Sequence, residues 1–589
     1  MAKPGDVLRK KKRFGDEEIE VIFRKLKERP EFGSAAKKAL SEGRTPQFLR
    51  DGFGDYPELN QRTYEVCPGI ICEQDVEISM RDGTKTYGDV FRPEGKSNVP
   101  VIIAWSWFGK RPCADNPDVE YDTIGVPHGS YSKNTKFEGP DPEYWCHRGY
   151  AVLNYDHRGI NNSEGDIEVS TQQEANDAYD VVEFMAGQEW CNGKVAMAGN
   201  SGLAVACWKG ASAQPPHLSC IAPWEGITDH YREQCCMGGI PECGFNPYLT
   251  SQLYGGGYME DPYSMLMENL FFNAYWENKI PKLEKIVVPC YITAGWNHFH
   301  LRGSISGFRR VSSSQKWLRI HREFEWPDQY QRENLADLNA FFDRYLLGIH
   351  NGWESTPRVR IDVMDAYDKD YLHRRAEENF PIPRTEYRKL WLNAQDKSLN
   401  TEPVTMESKL SYDGRNGCAV FDMRFSEETE LTGYMKLHMW VEADGKDDMD
   451  LFVAVQKLDT YGNWLPVYVM GKPHPGAPGK LRVSLRELDE EKSSDFQPCQ
   501  SYKKSQKLRP GEIVPIDIEI WPTSRIWHAG EQLRVEIMGR YERIDWFEPF
   551  DFDTVNSGNH VIHTGGRFDS FLQIPVIPPK YIAAGNKYY

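Results

Sequence analysis

The chain has 589 residues, too many for a single hydrophobic core, so its length predicts several domains. Hydrophobic residues form 40% of it, a globular composition, and the net charge of −17 argues against a nucleic-acid partner because phosphate binding needs a basic surface. We find no apolar run long enough to cross a bilayer and no signal-peptide pattern, which predicts a cytoplasmic protein without a membrane partner.

The first 70 residues are rich in charge, and the stretch DEEIEVIFRKLKERPEF indicates a helix. We therefore predict an N-terminal helical extension over residues 1–70. The following stretch, residues 71–95, alternates polar and apolar residues around the turn RDG, a pattern typical of a β-hairpin.

Strand-like and helix-like segments then alternate along the chain. VPVIIAWSW is a continuous apolar run typical of a strand buried on both faces, and QEANDAYDVVEFMAGQEW has the pattern of an amphipathic helix. This alternation predicts βαβ units and a mostly parallel sheet, which we assign to residues 71–225 and 286–355. The aromatic, Met-rich residues 226–285 interrupt the rhythm and are predicted to form a helical cap.

Beyond residue 355 the pattern changes to short alternating strands, such as GYMKLHMWVEA and DLFVAVQKLD, with turn-rich spacers and no clear helices between them. This pattern predicts an all-β, jelly-roll-like sandwich over residues 356–589. The predicted fold class is therefore α/β, with a second, all-β domain at the C-terminal side.

The stretch VAMAGNSGLAVACW, residues 195–208, is typical of a strand that runs through a tight glycine turn and a serine into a helix. Such a turn is a nucleophile elbow, which needs small residues on both sides of the serine because the helix passes close to the strand. Gly199 and Gly202 or Ala204 supply them. The backbone N–H of Gly202, at the start of the helix, also faces the place where an oxyanion would develop beside Ser201.

The chain resembles a known family in a series of stretches that occur in the family's order. They are YDHRGINNSEGD, KVAMAGNSGLA, CIAPWEGITDHYRE, ITAGWNHFHLRGSISGFRR with KWLRIHREFEW, and WPTSRIWHAGEQLRVEI. These stretches are similar to those of the cocaine-esterase and X-prolyl dipeptidyl-peptidase-like hydrolases, over about residues 70 to 589. The resemblance implies an α/β-hydrolase domain with a helical cap, a C-terminal jelly roll, and serine acyl-transfer chemistry on esters or amides with Ser201 as nucleophile.

The general base of such a site is a histidine after the last strand of the sheet. His321 fits, at the end of KWLRIH. In many family members the histidine lies a few residues further on, at a position that REFE, residues 322–325, holds here. His298 and His300 are rival candidates at the edge of the preceding strand. The non-catalytic alternative is that His321 ends a strand and hydrogen-bonds a loop carbonyl.

The acid of the triad departs from the family pattern. Family members commonly carry Asp in the loop after the strand that matches YITAGW, whereas this chain has Asn297 and His298 there. A base without an orienting carboxylate loses its tautomer and the stabilisation of its charged form. Glu225, in PWEG after the neighbouring strand, is the predicted substitute.

Two other carboxylates compete with Glu225 for this role. Asp229 lies about one turn further along the chain, and Glu325 is close to His321 in sequence. The structural alternative for Glu225 is a simple ion pair with an arginine, either Arg158 or Arg232.

The oxyanion hole is the second departure. In the family a Tyr hydroxyl after the first parallel strand helps to hold the oxyanion, but this chain reads SWFGK there, with Phe108 in place of the Tyr. Loss of one such donor costs about 3 to 4 kcal/mol in well-studied enzymes. We predict that the N–H groups of Gly202 and Gly109 serve instead, or that another hydroxyl such as that of Tyr155 has moved in.

Large side chains at the predicted strand ends indicate an aromatic-walled substrate pocket, where ligands bind in open α/β sheets. Besides Phe108, His298 and His300, the predicted lining consists of Trp105, Trp107, Trp224 and Trp296. Core packing explains any one of these tryptophans equally well, but all four less easily.

No cofactor and no metal is predicted, because the pair His298 and His300 in HFH lacks the further ligands of a zinc site. The expected partner is a small-molecule substrate, and a homodimer through the sandwich or the cap is compatible with the sequence. The leading hypothesis is a serine hydrolase that cleaves an ester, lactone or amide of a bulky apolar small molecule through an acyl-enzyme. The alternative keeps the pocket but uses its histidines for proton transfer, as a lyase, isomerase or cyclase on a hydrophobic metabolite.

Overall fold

The computed structural model describes residues 6–27, 59–111, 125–126, 129–251, 253–541 and 550–579. The strands of its first part are β1 (Val7–Phe14), β2 (Glu17–Lys25), β3 (Arg62–Cys67), β4 (Ile70–Ser79), β5 (Lys85–Pro93), β6 (Val99–Ser106), β7 (Ala151–Asp156), β8 (Cys191–Asn200), β9 (Leu218–Trp224), β10 (Tyr258–Glu260), β11 (Cys290–Gly295), β12 (Lys316–His321), β13 (Val359–Met364) and β14 (Asp370–Glu377).

A mostly parallel sheet forms the centre of this part. Its strand order is β3-β4-β5-β7-β6-β8-β9-β11-β12-β13-β14, antiparallel from β3 to β7 and between β13 and β14, and parallel from β7 through β13. The stretch from β4 to β12 has the strand order of an α/β-hydrolase, which confirms the predicted fold class. Strands such as β6, β7 and β11 are buried along their whole length, as strands covered by helices on both faces must be.

The helices are α1 (Pro142–Cys146), α2 (Gln172–Ala186), α3 (Gly202–Ser212), α4 (Phe245–Ser251), α5 (Pro262–Glu268), α6 (Ala274–Asn278), α7 (Leu301–Arg310), α8 (Glu325–Gln329) and α9 (Arg332–Phe342). Apolar residues of α2, α3 and α7 pack in one core cluster on the sheet, whereas those of α1 and α9 belong to a separate cluster. None of the described helices is long and apolar enough to cross a membrane.

Helix α2 shows how the sequence builds this layer. Thr171 caps its N-terminus, because the Thr171 side chain accepts a hydrogen bond from the N–H of Gln173. Its buried residues Ala175, Ala178, Val182 and Met185 recur at the helical period and face the core. The segment predicted as an amphipathic helix is therefore a helix.

The predicted helical extension at the N-terminus is wrong in its described part. Strands β1 and β2 form a hairpin through the two-residue turn at Gly15 and Asp16, and β2 pairs with β10 of the cap. The segment EEIEVIFRK alternates over its first half, and Val21 and Phe23 are buried in the cap cluster. A high charge content resembles a helix signal, whereas the period-2 pattern of this segment indicates a strand. Residues 28–58 of the predicted extension lie outside the described residues.

The segment between β9 and β11 is built from short helical pieces and one strand. Besides α4, α5, α6 and β10, it contains a π-helical turn at Tyr231–Cys235 and 3₁₀ turns at Met237–Gly239 and Leu283–Lys285. Tyr231, Trp276 and Leu266 form its apolar centre together with β2. The segment therefore combines short helical pieces with one strand, β10, which pairs with β2.

The C-terminal strands are β15 (Glu386–Asn393), β16 (Ser398–Asn400), β17 (Ser408–Asp413), β18 (Cys418–Arg424), β19 (Thr429–Asp444), β20 (Asp450–Leu458), β21 (Val467–Val469), β22 (Lys472–His474), β23 (Ala477–Arg482), β24 (Val514–Trp527), β25 (Gln532–Met538), β26 (Asn559–Thr564) and β27 (Phe571–Val576). Antiparallel pairs such as β19 with β24, β18 with β25 and β15 with β27 enclose one apolar core in a barrel-like sandwich.

The predicted start of the sandwich at residue 356 needs a correction. TPRVRIDVMD contains β13, which pairs in parallel with β12 and extends the central sheet, and β14 follows it at the edge. All residues of β13 are buried, yet the charged Arg360 and Asp362 among them imitate the alternation of a half-exposed strand. A parallel strand pairing at Met364 and Arg525 links β13 to the sandwich strand β24.

Candidate active site

Ser201 occupies a sharp turn between β8 and α3, as the sequence predicts for a nucleophile elbow. Its backbone has φ 53° and ψ −119°, a conformation that a non-glycine residue adopts at a cost. The Ser201 N–H donates to the carbonyl of Glu225 at 2.8 Å, which pins the turn to the end of β9. The Ser201 side chain does not cap α3, so its hydroxyl is not used to hold the helix.

The small neighbours of Ser201 are required by close packing. Gly199 has φ 140°, and a Cβ there would come within 2.9 Å of the Glu138 carbonyl and closer still to Leu203. Gly226, behind the helix, could not carry a Cβ either, because it would lie 2.7 Å from the Cβ of Ala204. The glycine pattern thus reflects a strained turn between a strand and a closely packed helix.

Glu225 follows β9 and is the centre of a buried group of charges. Its Oε1 lies 2.8 Å from Nε2 of His321, and its Oε2 lies 3.3 Å from Nδ1 of His298. Burial alone would raise the pKa of the Glu225 carboxyl, but the two histidines outweigh burial and hold it below its usual range. The carboxylate predicted as the triad acid therefore lies between two candidate bases.

His321 contacts Glu225 as the sequence predicts, but both of its ring nitrogens are engaged. Nε2 faces Glu225 and also lies 3.4 Å from Asp328 Oδ2, while Nδ1 lies 3.1 Å from the carbonyl oxygen of Glu323. Burial lowers the pKa of His321, yet the carboxylates of Asp328 and Glu225 outweigh it, so the pKa is raised. The contact between Nδ1 and the Glu323 carbonyl is the one expected if His321 only ends a strand and hydrogen-bonds a loop carbonyl, without a catalytic role.

His298, a rival candidate, faces the predicted acid with one ring nitrogen only, as a triad histidine does. Its Nδ1 points to Glu225, and its Nε2 lies 3.8 Å from Oε1 of Glu325, with no aligned hydrogen-bond partner among the described residues. His300 approaches the other oxygen of Glu325, with Nδ1 at 3.3 Å. All three side chains are buried.

Glu325 begins α8 within REFE, the stretch that holds the family's usual histidine position. Burial, reinforced by the carboxylates of Glu138 and Glu225, raises the pKa of Glu325 well above its usual value. The carboxyl also interacts with Asn200, the residue before Ser201. A buried carboxyl thus stands beside the elbow where the resemblance leads one to expect a histidine.

The alternative partners of the sequence analysis are occupied elsewhere. Asp229 pairs with Arg232 at 2.9 Å, and Arg158 pairs with Asp177 at 2.6 Å. Glu225 therefore forms neither of the arginine pairs considered for it. Asp229 pairs with an arginine and not with one of the candidate bases. Arg158 holds its loop to α2 through Asp177, as a structural residue would.

Phe108 lies against the elbow, as its place in SWFGK predicts. A Cβ on Gly202 would lie 3.8 Å from the Phe108 ring, so the ring covers the start of α3. Gly109 follows with φ 94° and lies in the same loop. Tyr155, suggested as a substitute hydroxyl, is instead fully buried in the core, where its ring lies 4.4 Å from that of Trp105.

The prediction that four tryptophans wall one pocket is wrong. Trp105 and Trp296 pack in one core cluster, Trp224 packs in a second, and Trp107 belongs to a third. Successive strand residues point to opposite faces of a sheet, so residues at neighbouring strand ends need not share a surface. Trp224 does line a small cavity below the elbow, next to Gly199.

Three rings form an aromatic surface beside the elbow, of which the sequence predicts Phe108 but not Phe137 or Trp326. The rings of Phe108 and Phe137 are 5.5 Å apart, and those of Phe137 and Trp326 are also 5.5 Å apart. All three side chains are half-buried. Glu138, also missed, accepts a hydrogen bond from the Trp326 indole, and burial raises its pKa to about 8. Phe137 and Glu138 lie in an irregular segment, and Trp326 lies in α8, a helix of five residues, so neither stretch carries a periodic signal.

Strand order, elbow and histidine–carboxylate cluster define an esterase-like serine hydrolase with the α/β-hydrolase fold. Residues 82–260 match the X-Pro dipeptidyl-peptidase (S15) family, and residues 351–573 match the X-Pro dipeptidyl-peptidase C-terminal non-catalytic domain. A CocE/NonD family hydrolase from Staphylococcus aureus is 36% identical, with a TM-score of 0.81, over 86% of this chain and 94% of that one. The chain belongs to this CocE/NonD hydrolase family.

More distant relatives agree with this assignment. A cocaine esterase from Rhodococcus sp. is 22% identical over 85% of this chain and 98% of that protein. An α-amino acid ester hydrolase shares the fold, with 16% identity and a TM-score of 0.66 over 88% of this chain and 99% of that one.

Proposed function

We propose that this enzyme cleaves an ester, lactone or amide of a bulky apolar small molecule through an acyl-enzyme on Ser201. The observation that carries the proposal is the strained elbow, which holds Ser201 at positive φ and ties it to the strand end that bears Glu225. A strained conformation at a serine that caps no helix is retained for reactivity rather than for folding. The S15 family match and the cocaine esterase relative support the reaction class.

His298 is the better-placed base. A triad histidine uses one ring nitrogen on the acid and keeps the other for the serine proton. His298 has this division, because its Nδ1 faces Glu225 and its Nε2 has no carboxylate closer than 3.8 Å, whereas Nε2 of His321 faces Glu225 and Nδ1 of His321 faces the Glu323 carbonyl. Glu225 then orients His298 directly, and the His321–Glu225 contact keeps the carboxylate in place and ionised.

The oxyanion is assigned to backbone N–H groups. Gly202 begins α3, so its N–H belongs to the first turn of the helix, which has no partner within the helix. Gly109 directly follows Phe108, whose ring lies against Gly202, and its N–H is the second donor that we assign. Without a tyrosine hydroxyl, this oxyanion hole is weaker than that of the family pattern.

An apolar substrate suits the surface beside Ser201. Phe108, Phe137 and Trp326 are half-buried, and they lead from the elbow to α8, next to the histidines. An aromatic acyl or alcohol group would bury apolar area against these rings.

Pre-steady-state kinetics test this proposal. With a chromogenic aromatic ester in excess, a burst of alcohol equal to one enzyme equivalent is expected, followed by slower turnover. The Ser201→Ala enzyme should show neither phase, while Ser212→Ala, at the far end of the same helix, should keep both. A folded wild-type enzyme that hydrolyses none of a panel of esters, lactones and amides would contradict the proposal.

A second function is favoured by one observation, the dense buried cluster of histidines and carboxylates around Glu225. Such a cluster can remove and return protons without a nucleophile, as a lyase, isomerase or cyclase on a hydrophobic metabolite requires. Turnover that survives in Ser201→Ala but is lost in His298→Asn would select this function.

A further inference from the structure

Three side chains from two separate segments converge behind the elbow. His298 and His300 come from the loop between β11 and α7, and Glu325 comes from the first turn of α8. One ligand-type atom from each lies within 4.8 Å of the others, and all three residues are buried. The imidazole rings are 4.4 Å apart at 75° to one another, so the two rings do not stack.

Their spacing matches a metal coordination shell. A tetrahedral zinc site with bonds of about 2.0 to 2.2 Å separates its ligand atoms by roughly 3.3 to 3.6 Å. Here Nδ1 of His300 lies 3.3 Å from Glu325 Oε2, and Nε2 of His298 lies 3.8 Å from Glu325 Oε1. The two distances run to different oxygens of Glu325, so coordination requires the three side chains to bring one ligand atom each onto the ion.

A second, independent observation points to a ligand. Nε2 of His298, the nitrogen that faces Glu325, is buried without an aligned hydrogen-bond partner among the described residues. A buried polar atom without a partner costs free energy unless something else satisfies it. On the other side of the ring, Oε2 of Glu225 lies 3.3 Å from Nδ1 of His298. Glu225 thus occupies the place of the outer carboxylate that commonly orients a metal-binding histidine.

We propose that His298, His300 and Glu325 bind a divalent transition-metal ion. Two imidazoles and one carboxylate are the ligand set of several zinc enzymes, and a water or a substrate oxygen would complete the shell. Zn²⁺ is the ion that this set suits best. HFH by itself offers only two ligands, so the sequence predicts no metal, whereas the third candidate ligand, Glu325, comes from a distant segment.

The metal site has a consequence for the reaction at Ser201. Nε2 of His298 can either bind the ion or accept the serine proton, but not both. Bound Zn²⁺ therefore suppresses the proposed serine hydrolysis, and chelation restores it. This consequence rests on the proposed function, whereas the binding itself does not.

Direct binding measurements test the site. After treatment with a chelator and removal of the chelator, the full chain is titrated with Zn²⁺ by calorimetry. We expect one equivalent to bind with micromolar or tighter affinity. Co²⁺ in the same site should give visible d–d absorption bands, displaced by Zn²⁺. X-ray absorption of the zinc-loaded wild type should report two imidazole ligands, and this readout needs no variant.

Matched variants locate the ion. Glu325→Gln and His300→Gln should weaken binding at least about 100-fold, and Glu225→Gln, which alters only the outer carboxylate, about 10- to 100-fold. A second group of metal-ligand residues, Asp362, Asp370 and His373, provides the control. His373→Asn should leave the tight equivalent unchanged. Circular dichroism must show that each variant is folded.

Two results would overturn the inference. One is a wild type that binds no Zn²⁺ tighter than about 100 μM. The other is tight binding that His373→Asn removes and Glu325→Gln preserves. Serine labelling in the absence of zinc is measured separately, so a failure of the metal site and a failure of the serine mechanism give different results.

Discussion

Oε1 of Glu225 lies 2.8 Å from Nε2 of His321, and both side chains are almost completely buried. The contact joins the end of β9 to the end of β12, across the intervening strand β11. Because Glu225 also faces His298 with its second oxygen, this carboxylate fixes the two histidines relative to each other.

The two histidines should respond differently to substitution. In His298→Asn the amide can keep the contact to Glu225 but lacks Nε2, so kcat should fall about 10²- to 10⁴-fold with little change in KM. In His321→Gln the amide can still reach Glu225, and the loss should be smaller. Steady-state kinetics with an aromatic ester measure both. A larger loss in His321→Gln would assign the base to His321.

A hydroxyl at position 108 should improve the oxyanion hole. Phe108→Tyr adds one donor next to the start of α3 without removing ring packing, and one donor in this role is worth a large factor in kcat. We expect an increase of about tenfold in kcat for ester hydrolysis. Phe108→Leu, the control, should show no increase. If Phe108→Tyr left kcat unchanged, the oxyanion would have to lie away from this loop.

The N-terminal hairpin should depend on one buried ring. Phe23 is fully buried in the cap cluster, with the ammonium groups of Lys10 and Lys12 at 4.9 and 5.2 Å from its centre. Phe23→Ala should weaken docking of the hairpin by about 3 to 5 kcal/mol. Faster amide exchange in β2 and β10 reports this loss. Ile19→Ala, at a half-buried position of the same strand, should have a smaller effect.

His560 should make the sandwich sensitive to acid. Burial lowers the pKa of His560 to about 4, and its ring nitrogens lie 3.2 and 3.1 Å from Tyr412 Oη and Asn556 Oδ1. In the unfolded chain His560 takes up a proton near pH 6.5, whereas in the folded chain it does so only near pH 4. Stability is therefore complete above pH 6.5 and falls between pH 6.5 and 4, by roughly 2 to 3 kcal/mol.

The variant His560→Gln isolates this contribution. Amide exchange in β26, compared at pH 7 and pH 4.5 after correction for intrinsic rates, gives the free energy of opening at each pH. The difference between the two pH values should be about 2 kcal/mol smaller in the variant than in the wild type. An equal difference in both proteins would show that His560 is protonated in the folded state.

Much of the fold could be predicted because its elements carry local patterns. The buried runs of β6 and β11, the amphipathic α2 and the glycines beside Ser201 all follow from hydrophobic period and turn chemistry. The N-terminal hairpin was missed because charge content outweighed a real alternation. The sequence places β13 in the sandwich because the charged side chains of Arg360 and Asp362, both buried, look like exposed residues in sequence.

The site was less predictable, because its geometry depends on tertiary contacts. Glu225 and His321 follow strands and could be placed at one sheet edge from strand order alone. The orientation of each imidazole could not be predicted, because it depends on tertiary contacts. For His321 these contacts are made by the Glu323 carbonyl, near Nδ1, and by Asp328, near Nε2. The prediction of a tryptophan-walled pocket is wrong for a related reason, because a position at a strand end does not determine which face of the sheet the side chain occupies.

The central claim is that Ser201 is a nucleophile, and covalent labelling tests it most directly. The metal-free enzyme is treated with a fluorophosphonate, digested and analysed by mass spectrometry, with Ser212→Ala as the matched control. The account predicts one adduct per chain on the peptide that contains Ser201, present in Ser212→Ala and absent in Ser201→Ala. A folded wild type that acquires no adduct on Ser201 while it turns over substrate would contradict the account.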